Sequence, residues 1–275
     1  MSKAEHQKHD SDQEKLMLEE NKSVIKPSEI VMSLVKGLHV INAFNQQREK
    51  MTLSQVASIT GYTRAATRRF LLTLVSEGYA KQEDKLFSLT PKILDLGFSY
   101  LSTLDVWQHA QPLMADLVTQ LDESCSAAVL DDFDVVYVAR VATTKRVMSI
   151  GLNVGTRLPA FITSMGRVLI ANLAEDSVRK FIAECPKEQF TDFTLVNENA
   201  LFAEIMQVKK QGYSLVEQEL ELGLTSISVP IYNRKGKVTA ALSISVHSAQ
   251  FSKADVIRTI FPVLKACAAR ITQLN

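Results

Sequence analysis

The 275-residue chain lacks most features that would announce its chemistry from composition alone. Its three cysteines, Cys125, Cys185 and Cys267, are far apart and odd in number. No cysteine or histidine stands at metal-finger spacing, which argues against both a disulfide framework and a zinc site. No apolar run reaches the length of a membrane span, and the polar, charged first residues do not form a secretory signal. Charge of one sign is missing too: 31 Lys and Arg stand against 30 Asp and Glu, a formal net charge of +1. Any nucleic-acid interface must therefore be a local concentration of charge, not an overall basic field. There is no G-x-S-x-G elbow, P-loop or dinucleotide fingerprint. These absences predict a cytoplasmic, non-enzymatic protein with no metal, no cofactor and no membrane partner.

What remains is an ordinary globular composition, 46% hydrophobic and 22% charged, long enough for one small and one medium domain. Residues 1–28 are polar without sustained periodicity and read as a flexible tail. Leu34, Leu38, Val40, Ile41 and Phe44 predict a helix of about four turns. A second helix starts at the N-cap Thr52 and ends at Gly61; a third runs from Thr63 to Ser76. Tyr79–Gln82 and Leu86–Leu89 predict a β-hairpin, completing a unit over 29–90. Helical periodicity over Pro91–Thr103 predicts a linker, 91–104. Beyond it, 105–275 alternates helices (106–121, 163–173, 176–184, 199–211) with strands (126–130, 135–141, 147–150, 213–217, 226–231, 238–246). A last helix opens at Ser252 and Asp255 with Pro262 inside it. The class is α+β: an N-terminal winged helix-turn-helix, a helical linker, and a C-terminal domain with a mainly antiparallel sheet and flanking helices.

The strongest local signal lies between Thr52 and Leu89. A short helix, a glycine turn, a second helix and a wing are the parts of a helix-turn-helix, whose second helix enters the major groove by its N-terminal end. That end reads Thr63-Arg64-Ala65-Ala66-Thr67-Arg68-Arg69, with three arginines and no carboxylate. Arg64 and Arg68 are four apart and share a face, suited to guanine edges. Thr63, Thr67 and Arg69 are expected nearer the phosphates, Ala65 permits close approach, and Lys81 and Lys85 on the wing reach the backbone or minor groove. Taken alone, an arginine-rich helix is more often a solvated face; the surrounding helix, turn and wing favour double-stranded DNA.

The chain resembles the IclR family of bacterial regulators. The resemblance rests on SLVKGLHVINAF, TRAATRRFLLTLVSEGY and FSLTPKILDLGFSYL in the first part. In the second it rests on VYVARV, GTRLPAFITSMGRVLIA and GYSLVEQELELGLTSISVPIYNRKGKVTAALSIS. A narrower likeness, carried by TRAATRRFLLTL and RLPAFITSMGRVL, is to the PcaU, PcaR and PobR branch controlling aromatic-acid catabolism. The resemblance implies a homodimer or dimer of dimers on a palindromic or repeated operator, and a C-terminal effector pocket. For this branch it implies activation, with RNA polymerase as partner, in response to an aromatic acid such as protocatechuate or 4-hydroxybenzoate. The alternatives are a repressor released by a small aliphatic acid, or an enzyme with an appended DNA-binding domain.

The residues themselves offer two effector features. Gly155–Thr163 leads into a helix beginning Ser164-Met165-Gly166, and free N–H groups at a helix start can hold an anion. Ser164 as a plain cap and Gly166 as a packing glycine explain the same letters. On the last strand Ser243, Ser245 and His247 share one face by the period of two, with Leu242, Ile244 and Val246 on the other. The polar face lines either a cavity or water. Serines and a histidine on one strand lack the geometry of a catalytic triad. Glu217 and Glu219 are expected to share a face near Thr225 and Ser226. The family resemblance places the pocket among Ser164, Met165, Glu217, Thr225, Ser226, Ser243 and Ser245, with Gly166 added from the helix start. Arg140, Arg157 and Arg167 are all open as partners for a carboxylate, and the lone Trp107 is assigned to packing or interdomain contact.

Overall fold

The computed structural model describes residues 26–45, 47–101, 106–143 and 151–274. The predicted tail up to residue 25 and the predicted strand Val147–Ile150 lie outside the described residues. The chain divides into two compact units, with the break between Ser99 and Tyr100.

The first unit holds α1 (Met32–Asn42), β1 (Met51–Thr52), α2 (Leu53–Thr60), α3 (Arg64–Ser76), β2 (Ala80–Glu83) and β3 (Leu86–Leu89). Its helix ends are written in the side chains. Thr52 and Gln55 form a reciprocal capping box at the start of α2, and Gly61 ends that helix with φ of 70°. Thr63 caps α3 by accepting from the Ala66 N–H. The wing turn is tighter than expected, since Glu83 pairs with Leu86 and only Asp84-Lys85 lie between. β1, too short to show in the sequence, joins β3 to make a three-stranded antiparallel sheet. Val40, Met51, Val56, Leu71 and Phe87 meet in the core. α1 has three turns, not four, and its Leu34 and Leu38 face outward. The linker is a 3-10 turn at Pro91–Ile93 followed by α4 (Leu94–Leu101), with Leu94, Leu96 and Phe98 exposed.

The second unit is built on one antiparallel sheet of order β6-β5-β4-β9-β8-β7. Its strands are β4 (Cys125–Asp131), β5 (Asp134–Val141), β6 (Arg157–Pro159), β7 (Ser214–Glu217), β8 (Leu224–Tyr232) and β9 (Val238–His247). One face packs against α5 (Val106–Leu121) and the C-terminal helix α10 (Phe261–Thr272), burying Trp107, Met114, Leu242, Ile244 and Leu264. The other carries α6 (Ser164–Ala171), backed by α7 (Glu175–Glu184) and α8 (Glu198–Gln211), burying Tyr137, Phe161, Met165 and Leu201. Both faces are covered, so Ser243 on the polar face of β9 is buried beneath protein, Ser245 is half-buried, and only His247 at the strand's end is exposed. The short α9 (Lys253–Asp255) opens on the Ser252–Asp255 capping box. A π-turn at Val256–Ile260 then precedes Pro262, as expected where proline removes a donor and crowds the preceding turn.

Two irregularities decide which side chains meet. The β4–β5 pairing shifts between Ala127 and Ala128, leaving Val138 as an extra residue. A bulge of this kind moves the strand's later side chains to the other face. Tyr137 and Arg140, three apart, therefore lie on the same side of the sheet. At the end of β7, Gln218 has φ of 58°, which breaks strand alternation between Glu217 and Glu219.

Candidate functional site

At the N-terminal end of α3, Thr63, Arg64, Ala65, Arg68 and Arg69 are exposed. Arg64 and Arg68 share a concavity of about 370 Å³ with Lys85, Gln82 and the start of α2. The shared face expected from the spacing of four is thus present, with the wing beside it. Arg69 points elsewhere, into a groove with Leu34, Leu38, Phe70 and Leu74. Thr67 corrects the sequence reading. Its side chain is fully buried and its hydroxyl donates to the Thr63 carbonyl at 3.0 Å, so it cannot reach a phosphate. On the wing, Lys81 pairs with Glu83 at 2.7 Å and Lys50 pairs with the same carboxylate at 3.0 Å. Hydrogen bonds from Lys81 and then Lys50 hold the Glu83 carboxyl down to about 2. Lys50 was missed because it precedes a strand of two residues.

The second site lies between α6 and the sheet. Thr163, not Ser164, caps α6, accepting the Gly166 N–H at 3.0 Å. This frees the Ser164 hydroxyl to face the strands, where it donates to Ser226 Oγ at 2.9 Å and shares a 2.7 Å hydrogen bond with Ser228 Oγ. Ser164, Met165, Ser226, Ser243 and Ser245 line one cavity together with Tyr137, Gln218, Glu219 and Leu224. Its free volume is about 20 Å³, on the order of one water molecule. Burial pushes the Tyr137 phenol up to about 12, which keeps it neutral and able to donate.

Three expected members are absent from this cavity. Gly166 packs against backbone: a Cβ there would sit 2.0 Å from the Ala160 carbonyl oxygen. Thr225 is adjacent to Ser226 in a strand and so faces the other way. Its hydroxyl is buried without a hydrogen-bond partner among the described residues. Glu217 pairs with Lys253 at 3.2 Å, while Glu219, beyond the kink at Gln218, turns inward. Ser228 and Tyr137 were missed. The alternation of β8 carried a signal for the serine, whereas the tyrosine depends on the bulge. His247, at the exposed end of β9, accepts the Ala249 N–H through Nδ1 at 3.2 Å, closing a turn.

The three candidate cations separate cleanly. Arg157 is tied to Asp131 at 2.7 Å and Asp134 at 3.0 Å. Arg167 is buried, bonded to Glu219 at 2.6 Å and to the Phe161 carbonyl at 2.9 Å. Arg140 donates to Ser126 Oγ at 2.8 Å and forms no ion pair among the described residues. Among the described residues no helix is long and apolar enough to cross a membrane.

Comparison with known proteins matches residues 33–84 to the IclR helix-turn-helix domain and residues 98–273 to the bacterial transcriptional regulator IclR C-terminal domain. The chain is 41% identical over 240 residues to the Pca regulon regulatory protein of Pseudomonas putida, covering 87% of this chain and 82% of that protein. It is 32% identical over 254 residues to the p-hydroxybenzoate hydroxylase transcriptional activator of Acinetobacter baylyi, covering 91% and 94%. Among solved structures, a transcriptional regulator from Rhodococcus sp. RHA1 superposes with a TM-score of 0.79 at 42% identity, covering 89% of this chain and 98% of that one. The inducer-binding domain of a PobR double mutant from Acinetobacter, in complex with 3-hydroxybenzoic acid, superposes with a TM-score of 0.58 at 30% identity, covering 62% and 98%.

Proposed function

The chain belongs to the IclR family of bacterial transcriptional regulators, in the Pca and PobR branch, and from that premise we propose that it activates aromatic-acid degradation genes in response to protocatechuate or a related hydroxybenzoate. The observation that carries this reading is the hydroxyl-lined cavity of Ser164, Ser226, Ser243, Ser245 and Tyr137 with Met165 beside it. Its donors suit ring hydroxyls and its thioether suits an aromatic face. The PobR domain bound to 3-hydroxybenzoic acid and the relative named as an activator support the same choice.

The cavity volume bears on mechanism. Ligand pockets usually span roughly 300–1,000 Å³, far above the free volume in this structure. An aromatic acid must therefore favour a more open arrangement of α6 over the sheet. The linker helix carries that shift to the paired recognition helices, and coupling of about 1–3 kcal/mol suffices for a useful response. The same small volume is the one feature favouring an aliphatic acid and release of a repressor. Calorimetric titration with protocatechuate, 4-hydroxybenzoate and pyruvate separates the two. Saturable binding of an aromatic acid is expected, and binding of pyruvate alone would replace the aromatic reading.

At the DNA end, Arg64 and Arg68 read base edges while Thr63, Lys81 and Lys85 position the backbone, with Ala65 allowing close approach; Arg69, turned into the neighbouring groove, is left out of the contact set. Arg68→Ala is expected to weaken specific operator binding about 10- to 100-fold, on the scale of one bidentate guanine contact. Effector affinity and thermal stability should stay unchanged. An unaltered operator affinity in a mobility-shift titration would remove Arg68 from the reading set. The protein acts on DNA as a homodimer or dimer of dimers, and the exposed Leu34, Leu38, Leu94, Leu96 and Phe98 are the apolar surface that assembly would cover.

A further inference from the structure

The row of serines that reaches the cavity at Ser243 continues along the sheet to a cation. Cross-strand register aligns Ser228 on β8 with Ser243 on β9, Ser243 with Ser126 on β4, and Ser126 with Arg140 on β5. All four belong to one row on the α6 face, and Ser228, Ser243 and Ser126 are buried. Because Arg140 on β5 donates to Ser126 on β4, its guanidinium leans along this row toward Ser243, a wall of the cavity. The bulge at Val138 is what brings Arg140 to this face beside Tyr137. Partial burial lowers the Arg140 pKa, and the groups acting on it electrostatically, Tyr137 and Cys125, are neutral. A half-buried cation hydrogen-bonded to a serine hydroxyl, with no carboxylate paired to it among the described residues, is a site of unbalanced charge.

We propose that Arg140, with Ser126 beside it, is the counter-ion for the effector carboxylate, so that the ligand lies along the serine row with its acid group at β4 and its opposite end at Ser164 and Ser228. The proposal rests on the sensor reading above and specifies its ligand as a carboxylate of defined orientation. Ser126 and Ser228 are two strand steps apart, roughly 9–10 Å, a span on the scale of a benzoate with a polar group at each end. Arg157 and Arg167 do not compete, since each is already matched with carboxylates.

The test compares acids with their uncharged amides by calorimetry on the full-length protein: 4-hydroxybenzoate against 4-hydroxybenzamide, and pyruvate against pyruvamide. Arg140→Gln is expected to weaken binding of the acid about 10- to 100-fold while leaving the amide unchanged, so that the preference for the acid disappears. Circular dichroism and operator binding report whether the variant is folded. If Arg140→Gln does not fold, Arg140→Lys carries the test, because an ammonium cannot reproduce the guanidinium fork. Its acid affinity should fall about tenfold with the amide unaffected. Unchanged acid affinity in the folded variant, or equal loss for acid and amide, overturns the assignment. If the wild type binds pyruvate alone and Arg140 governs that binding, the counter-ion stands and the aromatic reading falls. If it binds an aromatic acid independently of Arg140, the reverse holds. Binding of no carboxylate overturns both.

Discussion

Gly166→Ala is expected to cost about 4 kcal/mol or more, at the top of the range for single substitutions, and to leave little folded C-terminal unit. The added Cβ would lie 2.0 Å from the Ala160 carbonyl oxygen and 2.5 Å from both Ala160 C and Cα. These are backbone atoms of the 3-10 turn Ala160–Ile162, so no side chain can rotate aside. Nor can α6 retreat, because every residue from Ser164 to Ala171 is buried. Ordinary overpacking costs about 1–3 kcal/mol because neighbours yield by shifting rotamers; here a helix start or a turn must move. Gly37→Ala is the control. A Cβ at Gly37 meets nothing within 4 Å, and replacing a helical glycine by alanine gains at most about 1 kcal/mol. Urea unfolding of both variants checks the contrast. A Gly166→Ala protein within 1 kcal/mol of wild type would mean that α6 and the turn separate readily in solution. That would weaken the account of a closed cavity between α6 and the sheet.

The same glycine shows how far the sequence could be read. Close approach at Gly166 was legible, but whether to a ligand or to the chain's own backbone was not, because Ala160 lies in a turn without periodicity. The winged helix was legible almost throughout, since Thr52, Gln55, Gly61 and Thr63 fix its helix ends by local chemistry. Thr67 could have been placed correctly. It stands four residues before Leu71, which forms the core, and helical spacing puts both on one face. The error came from grouping it with the neighbouring arginines by polarity. Ser243 and Ser245 were readable from the alternation of β9. Tyr137 and Arg140 were not readable as companions, because the bulge at Val138 reverses the parity that separates positions three apart. Glu217 and Glu219 failed in the mirror-image way: alternation groups them, and one left-handed residue, Gln218, divides them.

Glu219→Ala is expected to destabilise the protein by about 3–5 kcal/mol, because it strands a buried arginine. Arg167 is 2% exposed and Glu219 8%. The guanidinium donates Nη2 to Glu219 at 2.6 Å and Nε to the Phe161 carbonyl at 2.9 Å. The carboxylate also accepts the Leu195 N–H at 2.9 Å. Removing one partner of such a pair leaves an uncompensated charge in low dielectric, which is where the 3–5 kcal/mol arises. Replacing both partners by apolar residues removes that charge, so Arg167→Met with Glu219→Leu should be less destabilising than the two single changes added together. The Leu195 N–H and Phe161 carbonyl lose their partners in the double variant, so recovery should be partial. The pair also anchors the cavity wall. Thr191 and Thr194 donate to the Gln218 and Glu219 carbonyls at 2.6 and 2.7 Å, holding the turn after β7 against the α7–α8 connection. Loss of Glu219 should therefore loosen the segment that closes over Ser226 and Ser245, and hydrogen exchange should rise first between residues 191 and 223. Denaturant unfolding of Glu219→Ala gives the cost of the stranded arginine, and unfolding of the four proteins in the Arg167→Met, Glu219→Leu cycle measures the coupling. A Glu219→Ala cost below 1 kcal/mol would show that water reaches the pair, and that the turn closing the cavity is held by the threonines alone.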